Sequence, residues 1–338
     1  MFPKPVHKQR KGDHQNPWRL YRVFGLTLAS DFHFASGLMP AEGAPNVTFT
    51  CVQSAPVPAD WGRVGPSYVS PYRTEAGESV ASLYRAKGFD VLRFARVADY
   101  YLWPHSIVCH LLNPAYGYLV EIRLLGPVLS FWLERRGVCA LHASSVVVGG
   151  YTAAFLSGNS GGKTALAAAL LRAGGLLLTD DILMVECRRG AIVGRPGYPQ
   201  MRMWPDEARH FLGRSRNLER VHPHYSKRRI PIGADGLGSF CPVARKLDGI
   251  YVLERRAAVE SGREIRIAPV RPQAAVMELL RHSFSPGLVE AAGLQPRRLS
   301  FLARMVRDVP VRKVVFPSGF QRLPRVCEAV SKDLHELR

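Results

Sequence analysis

The sequence predicts an α/β protein in which a small β-rich region precedes a larger α/β domain. Two patterns lead to this prediction. Short strand-like runs separated by turns fill the chain from about residue 20 to residue 115, whereas after residue 138 apolar strand-like runs alternate with Ala- and Leu-rich helical runs. At 338 residues the chain exceeds one ordinary compact core, so we expect two domains.

Composition indicates a globular protein with a cationic surface. Hydrophobic residues make up 47% of the chain and charged residues 22%, which argues against wholesale disorder. The formal net charge of +19 favours anionic partners. No zinc finger, RNP-type motif or basic helix with heptads accompanies the scattered arginines, so nucleic acid is not a predicted partner.

Cysteine spacing and the N-terminal sequence predict a cytoplasmic location. The six cysteines are widely spaced and form no C-x-x-C pair, as expected of reduced thiols. Residues 1–19 are polar and basic and contain no secretory signal. The longest apolar run, residues 138–156, is interrupted by polar residues and by Gly149-Gly150, so it predicts a β-hairpin and not a membrane span.

Four consecutive segments follow from these patterns. They are a basic flexible tail (1–19), a β-rich N-terminal domain (20–115), a linking helix (116–137) and an α/β domain (138–338). Within the second segment we expect antiparallel strands in YRVFGLTL, NVTFTCV, SVASLYRA, DVLRFARV, YYLW and HSIVCHLL, with one turn at Ala98-Asp99 and a Pro- and Gly-rich loop over 53–76. The linking helix should break at Gly126-Pro127.

The second half of the α/β domain is predicted from shorter patterns. PDEARHFLG is amphipathic, HPHYSKRRIPIG is expected to be a basic turn, and LDGIYVLERR a strand. PQAAVMELLRHSF and LSFLARMVRDV are predicted helices, VRKVVFPSG a strand, and a last helix should begin at Leu323.

A glycine-rich stretch, GNSGGKT, lies between an apolar strand-like run and the helical run ALAAALL. A loop in this position presents unpaired backbone N–H groups that can bind phosphate. Lys163 would reach the β- and γ-phosphates of a nucleotide, and the Thr164 hydroxyl would contact Mg²⁺. The predicted phosphate-binding residues are Gly158, Asn159, Ser160, Gly161, Gly162, Lys163 and Thr164.

The loop departs from the pattern G-x-x-x-x-G-K-[ST] at one position. Counting back from Gly162 places Ser157 where the first glycine belongs. Either Ser157 substitutes for that glycine, or the loop is one residue short.

Two adjacent carboxylates, Asp180 and Asp181, end the next strand-like run, LLLTDD. Since neighbouring strand residues face opposite ways, one is expected to bind Mg²⁺ through water and the other to meet a substrate hydroxyl. A solvated carboxylate pair at a strand end is the alternative. His142 precedes the loop strand and could orient an acid or share its proton, so a pairing with Asp180 is of interest. Cationic candidates for binding phosphates are Arg202, Lys227, Arg228 and Arg229.

The runs LHASSVVV, GNSGGKTALAAALL and LLTDDI, in this order, resemble the catalytic half of the HPr kinase/phosphorylase superfamily. The resemblance covers about residues 138–190 and extends more weakly to residue 330. YRVFGLTLASD and LLGPVLSFWLERRG add a similarity to the diverged HPr-kinase-like proteins found beside peptide-modification genes such as lasso-peptide clusters.

This resemblance implies an HPr-kinase/PEP-carboxykinase-like P-loop domain, with a mixed β-sheet and flanking helices. It implies transfer of the γ-phosphoryl group of ATP, or of another nucleoside triphosphate, to a serine hydroxyl of a peptide or small protein with Mg²⁺. Asp180 would accept the hydroxyl proton, with His142 and Asp181 in support, and Thr164 and Asp181 would serve the metal. The residues alone leave open which aspartate is the base. A homo-oligomer is also implied.

One family feature is absent, since no glycine-rich signature with a metal-binding Glu follows the double Asp, and Glu186 is not at its place. The resemblance therefore does not extend to HPr as the substrate or to the reverse phosphorolysis. Two other functions stay open: a nucleotide-binding regulatory module without transfer, and a small-metabolite kinase of the free-serine type.

Overall fold

The computed structural model describes residues 18–57, 65–213, 217–234, 236–256 and 265–337. The predicted basic tail lies almost entirely outside the described residues, and so does part of the loop predicted over 53–76.

The first part of the described chain forms a mixed β-sheet. Its strands are β1 (Arg19–Val23), β2 (Leu26–Ser30), β3 (Met39–Pro40), β4 (Val47–Val52), β5 (Tyr68–Val69), β6 (Ala81–Ala86), β7 (Phe89–Phe94), β8 (Ala98–Leu102) and β9 (Ser106–Leu111). They are arranged in the order β3-β1-β2-β4-β9-β8-β7-β6-β5.

Strands form in all the predicted runs, but three expectations were wrong. YRVFGLTL is not one strand, because left-handed backbone at Phe24 and Gly25 folds it into the β1–β2 hairpin. β4 runs parallel to both of its neighbours, β2 and β9, because long connections rather than hairpins join these strands. The turn expected at Ala98-Asp99 lies inside β8. The chain instead turns just before it, where Arg96 adopts a left-handed backbone with φ of 59°.

Helical residues then pack against this sheet. They comprise α1 (Tyr118–Arg123), a wide turn (Leu124–Val128) and α2 (Leu129–Glu134). The predicted break at Gly126-Pro127 is confirmed, since Gly126 has non-helical angles (φ −99°, ψ −113°). Buried Val120, Leu129 and Trp132 join the core of the sheet, so this segment is anchored by apolar packing.

The remaining strands and helices alternate along the chain. They are β10 (Cys139–Leu141), β11 (Ala143–Val148), β12 (Tyr151–Leu156), α3 (Lys163–Arg172), β13 (Leu176–Thr179), β14 (Leu183–Arg188), β15 (Ala191–Gly194), β16 (Gln200–Met203), α4 (Pro205–Leu212), β17 (Arg220–His222), β18 (Tyr225–Pro231), β19 (Ser239–Phe240), β20 (Arg245–Lys246), β21 (Gly249–Arg256), β22 (Arg266–Pro269), α5 (Pro272–Arg281), α6 (Pro286–Ala291), α7 (Gln295–Asp308), β23 (Val311–Pro317) and α8 (Leu323–Glu336).

A central mixed sheet in the order β19-β13-β11-β12-β21-β23-β22 organises this part. Successive residues of β12 face opposite ways, so Phe155 packs with Leu166 of α3 and Val326 of α8, whereas Leu156 packs on the side of α5 and α7. Helices thus flank the sheet, which confirms the predicted α/β class with a mixed sheet. The more specific HPr-kinase/PEP-carboxykinase-like arrangement stays a prediction.

Smaller sheets complete the described part of the chain. β10, β14, β15 and β20 form one of them, and β16, β18 and β17 form another. The expectation of a basic turn in HPHYSKRRIPIG was wrong, because this stretch forms the β17–β18 hairpin, with a turn at Pro223-His224. Its Lys and Arg side chains are projected by strands, and β18 pairs with β16.

Two further sequence expectations concern cysteines and membranes. All six cysteines are free thiols in the structure, as predicted. Across the described ranges, no helix is both long and apolar enough to cross a lipid bilayer.

Candidate functional site

The glycine-rich loop joins the end of β12 to the first turn of α3. Strand β12 ends at Leu156 and helix α3 begins at Lys163, so six residues form the loop, the number that the G-x-x-x-x-G pattern requires. Ser157 therefore occupies the position of the first glycine. Left-handed backbone at Ser160 (φ 58°) and Gly162 (φ 95°) curves the chain around the helix N-terminus.

Ser157 fits the loop because Gly161 leaves room for it. A Cβ added to Gly161 would lie 2.5 Å from Ser157 Oγ, too close for any residue but glycine. Ser157 is buried, and its hydroxyl donates to Gly158 O at 3.2 Å. A serine at position 157 therefore requires a glycine at position 161.

Lys163, the first residue of α3, folds back along the loop. Its Nζ donates to Ser157 O at 2.7 Å, and the residue is only 7% exposed. Burial lowers the pKa of Lys163, while nearby Asp180 and Asp181 oppose that shift. Phosphate oxygens bound at the loop could replace the backbone carbonyls as hydrogen-bond acceptors of this ammonium.

Sheet topology places the two aspartates beside the loop. β11 is antiparallel to both β12 and β13, so the carboxyl ends of β12 and β13 and the amino end of β11 share one edge of the sheet. The loop, Asp180 and His142 all lie at that edge. The strand order thus brings the phosphate loop and the carboxylates together.

Asp180 is buried behind the loop and both of its oxygens accept hydrogen bonds. Oδ1 accepts from Ser144 Oγ at 2.6 Å and from Thr164 Oγ1 at 3.2 Å, and Oδ2 accepts from the Arg202 backbone N–H at 3.1 Å. Burial raises the pKa of Asp180, and the hydrogen bond from Ser144 opposes this. Asp180 is therefore fixed next to the Thr164 hydroxyl.

Asp181 faces the open side of the same edge. Its left-handed backbone (φ 73°) turns the chain between β13 and β14, so the adjacent carboxylates point in different directions. Oδ2 accepts from Arg202 Nη1 at 3.0 Å, and Oδ1 lies 3.5 Å from His142 Nδ1. The His142 ring also contacts the Asp181 carbonyl at 3.0 Å. His142 thus pairs with Asp181 and not with Asp180.

The surroundings of His142 favour its neutral form, although Asp181 and Asp180 act in the opposite direction. Burial lowers the pKa of His142, and the neighbouring Lys163 ammonium lowers it further. A neutral imidazole can orient the Asp181 carboxylate or share its proton without adding charge.

These residues line a cleft of about 550 Å³. One wall, which we call the loop wall, consists of residues 159–164 with His142, Asp181 and Arg202. The rest of the lining, which we call the helix–hairpin wall, comes from α1, the start of α4 and the β17–β18 hairpin. Its members are Leu119, Ile122, Arg123, Trp204, Glu207, Val221, His222, Tyr225 and Lys227.

Most of the residues predicted from sequence meet in this cleft. Two predicted residues do not line it: Gly158 lines a smaller neighbouring cavity, and Asp180 is buried behind the loop. Among the cationic candidates, Arg202 and Lys227 line the cleft, but Arg228 donates to Leu218 O and Arg229 pairs with Glu121.

Sequence reasoning missed Ser144 and most of the helix–hairpin wall. Ser144 lies only two residues beyond His142, but strand alternation does not link them, because His142 occupies the bend between β10 and β11 and not a strand as predicted. Arg123, Trp204 and Tyr225 gave no signal either, since only the tertiary fold brings them to the loop.

The side-chain oxygens beside the loop suit Mg²⁺ better than a metal that is held by three or more protein side chains. Among the described residues, no three His, Cys, Asp or Glu side chains cluster as metal ligands. Mg²⁺ commonly binds through one or two protein oxygens together with water and substrate phosphates. The adjacent oxygens of Thr164 and Asp180 at the loop fit this requirement.

Comparison with known proteins gives distant structural similarity and no match in sequence families or curated proteins. The chain is similar to a solved HPr(Ser) kinase/phosphatase from Coxiella burnetii, with a TM-score of 0.30 and 13% identity over 59% of this chain and 90% of that chain. A similarity of this size does not define the family or the function.

Proposed function

We propose that this protein is a phosphotransferase that moves the γ-phosphoryl group of ATP, or of another nucleoside triphosphate, to a hydroxyl with Mg²⁺. The acceptor in this proposal is a serine of a peptide or small protein. The predicted cytoplasmic location, self-association and lasso-peptide context belong to the same hypothesis.

One observation carries the proposal: a phosphate-type loop and a solvent-facing carboxylate share one cleft. The loop and the N-terminus of α3 offer N–H groups and the Lys163 ammonium to phosphate. Across the same edge, Asp181 faces the cleft with 29% of its side chain exposed. Phosphoryl transfer needs positioning, charge neutralisation and a base aligned with the nucleophile, and these residues offer all three.

The geometry favours Asp181 as the base, the reverse of the assignment that the resemblance implies. Asp180 is 8% exposed and uses both oxygens in hydrogen bonds, so a substrate hydroxyl has poor access to it. Asp181 lines the cleft and is held by Arg202 and His142. In this scheme Asp180 and Thr164 hold the metal, and Asp181 accepts the proton.

The proposed reaction forms one bond and breaks one bond. The acceptor oxygen bonds to the γ-phosphorus, the bond from that phosphorus to the β–γ bridging oxygen breaks, and the nucleoside diphosphate leaves. The hydroxyl proton passes to Asp181. When bound, Mg²⁺ would neutralise charge on the phosphate oxygens. Lys227, whose charge acts on both Lys163 and Asp180, would bind phosphate from the other side.

Labelled ATP tests this proposal. Purified protein, Mg²⁺ and a library of serine-containing peptides should yield labelled peptide, and mass spectrometry should locate the phosphate on a serine. ATP-dependent thermal stabilisation without transfer to any peptide or free hydroxy amino acid would instead support the regulatory module. Transfer to free serine alone would support the small-metabolite kinase.

A further inference from the structure

Arg123 is a cation on the helix–hairpin wall of the cleft. It is the last residue of α1, and its guanidinium carbon lies 4.7 Å from the centre of the Phe94 ring. Stacking on an aromatic face holds a guanidinium without neutralising it. The side chain thus lines the cleft from the N-terminal part of the molecule.

No carboxylate balances this charge. Arg123 makes no ion pair within 4.0 Å in the described part of the chain, and its buried Nε has no hydrogen-bond partner there. Other arginines near the cleft have partners for their terminal nitrogens: Arg202 pairs with Asp181, Arg229 pairs with Glu121, and Arg228 donates to Leu218 O. Burial accordingly lowers the pKa of Arg123. Binding of an anion would supply the counter-charge that this half-buried guanidinium lacks.

The neighbours of Arg123 form an aromatic surface. The His222 ring lies 5.1 Å from Tyr118 and 4.9 Å from Tyr225, measured between ring centres. Burial lowers the pKa of His222, and the nearby His224 and Arg123 lower it further, which favours the neutral imidazole. Arg123 therefore lies beside groups that can pack against a peptide but cannot pair with a guanidinium.

Arg123 is separated from the cations that serve the loop. Arg123 extends from α1 over Phe94, whereas Lys163 donates to Ser157 O of the loop and Lys227 lies over the Trp204 ring. Nucleotide phosphates at the loop would already have Lys163 and Lys227 as partners. This leaves Arg123 available for an anion of the acceptor.

We propose that the acceptor is an acidic peptide whose carboxylate binds Arg123 while its serine hydroxyl meets Asp181. This inference rests on the proposed phosphotransferase function. A guanidinium binds a carboxylate through two parallel hydrogen bonds, which would fix the register of the peptide in the cleft. The net charge of +19 would also attract an acidic partner.

Paired peptides test this specificity. Each pair contains one serine with flanking Glu residues or, in the matched peptide, Gln residues at the same positions. We expect wild-type protein to phosphorylate the best Glu peptide with a kcat/KM at least about ten-fold above that of its Gln partner. Arg123→Gln should abolish the preference, Arg123→Lys should restore part of it, and Arg325→Gln on exposed α8 should keep it. Equal kcat/KM for Glu and Gln peptides in the wild type would overturn the proposal.

A binding measurement separates this proposal from the phosphotransferase itself. Protein saturated with a non-hydrolysable ATP analogue is titrated calorimetrically with the Glu peptide in which serine is replaced by alanine. We expect binding that weakens at least about ten-fold in Arg123→Gln, with unchanged affinity for the ATP analogue. Loss of analogue binding in Arg123→Gln and Arg123→Lys alike would assign Arg123 to the nucleotide and overturn the acceptor role. Peptide binding that depends on Arg123, without transfer to any hydroxyl, would overturn only the phosphotransferase function.

Discussion

The two walls of the cleft differ in how their charges are balanced. On the loop wall, Lys163 donates to loop carbonyls and Asp181 pairs with Arg202. On the helix–hairpin wall, Arg123 and Lys227 have no carboxylate within 4.0 Å in the described ranges, and aromatic rings hold them instead. The loop wall is preorganised before substrate arrives, whereas the helix–hairpin wall requires an anion from outside.

The largest expected effect comes from removing the loop ammonium. Lys163→Ala should weaken ATP binding at least about 100-fold, because charge-assisted hydrogen bonds to phosphate would be lost. Calorimetric titration with ATP and Mg²⁺ measures this change. Lys332→Ala on exposed α8 is the matched control and should bind like wild type. Equal affinities for both variants would mean that the loop is not the nucleotide site.

The helix–hairpin wall depends on one buried carboxylate that joins its two parts. Glu121 of α1 accepts from the Ala35 and Ser36 N–H groups at 2.7 and 2.8 Å, and it pairs with Arg229 of β18 at 3.1 Å. Glu121→Gln leaves Arg229 with only the exposed Glu219 carboxylate, 3.8 Å away, as a counter-charge, so the free energy of unfolding should fall by about 2 kcal/mol. Urea denaturation checks this value.

Glu328→Gln, on the exposed surface of α8, is the control for that experiment. Nucleotide affinity should change little in Glu121→Gln, because the loop wall does not use this contact. A stability equal to wild type would show that the two elements are held together by other contacts.

A smaller loss of ATP affinity is expected when the contact between Gly161 of the loop wall and Ser157 behind it is changed. Gly161→Ala places a methyl group against Ser157 Oγ, so we expect about a ten-fold loss of ATP affinity as the loop shifts. Ser157→Gly removes the obstacle and, combined with Gly161→Ala, should recover most of the affinity. A double variant as weak as Gly161→Ala alone would place the cause elsewhere.

The difference between the two walls of the cleft also explains which residues could be predicted from the sequence. The loop wall was predictable because strand β12, the loop, α3 and Asp180 follow one another within about 30 residues, and each position has a local chemical signature. The direction of each carboxylate was not predictable, since it depends on the left-handed backbone at Asp181 and on Ser144 from a neighbouring strand.

The helix–hairpin wall could not be predicted for a different reason. Arg123 and Tyr225 lie about 100 residues apart in the chain and meet only through the packing of α1 against the β17–β18 hairpin. The basic stretch from His222 to Arg229 was expected to be a turn because charge obscured its strand pattern, and pairing with β16 decided its structure.

The most direct test compares the two adjacent aspartates for phosphoryl transfer. Asp181→Asn removes the proposed base, so transfer from labelled ATP to a serine peptide should fall at least about 100-fold while nucleotide affinity stays within about three-fold of wild type. Asp180→Asn should instead raise the Mg²⁺ concentration needed for activity, and Asp308→Asn on exposed α7 should match wild type. Wild-type transfer rates in Asp181→Asn would contradict the proposed role of the cleft.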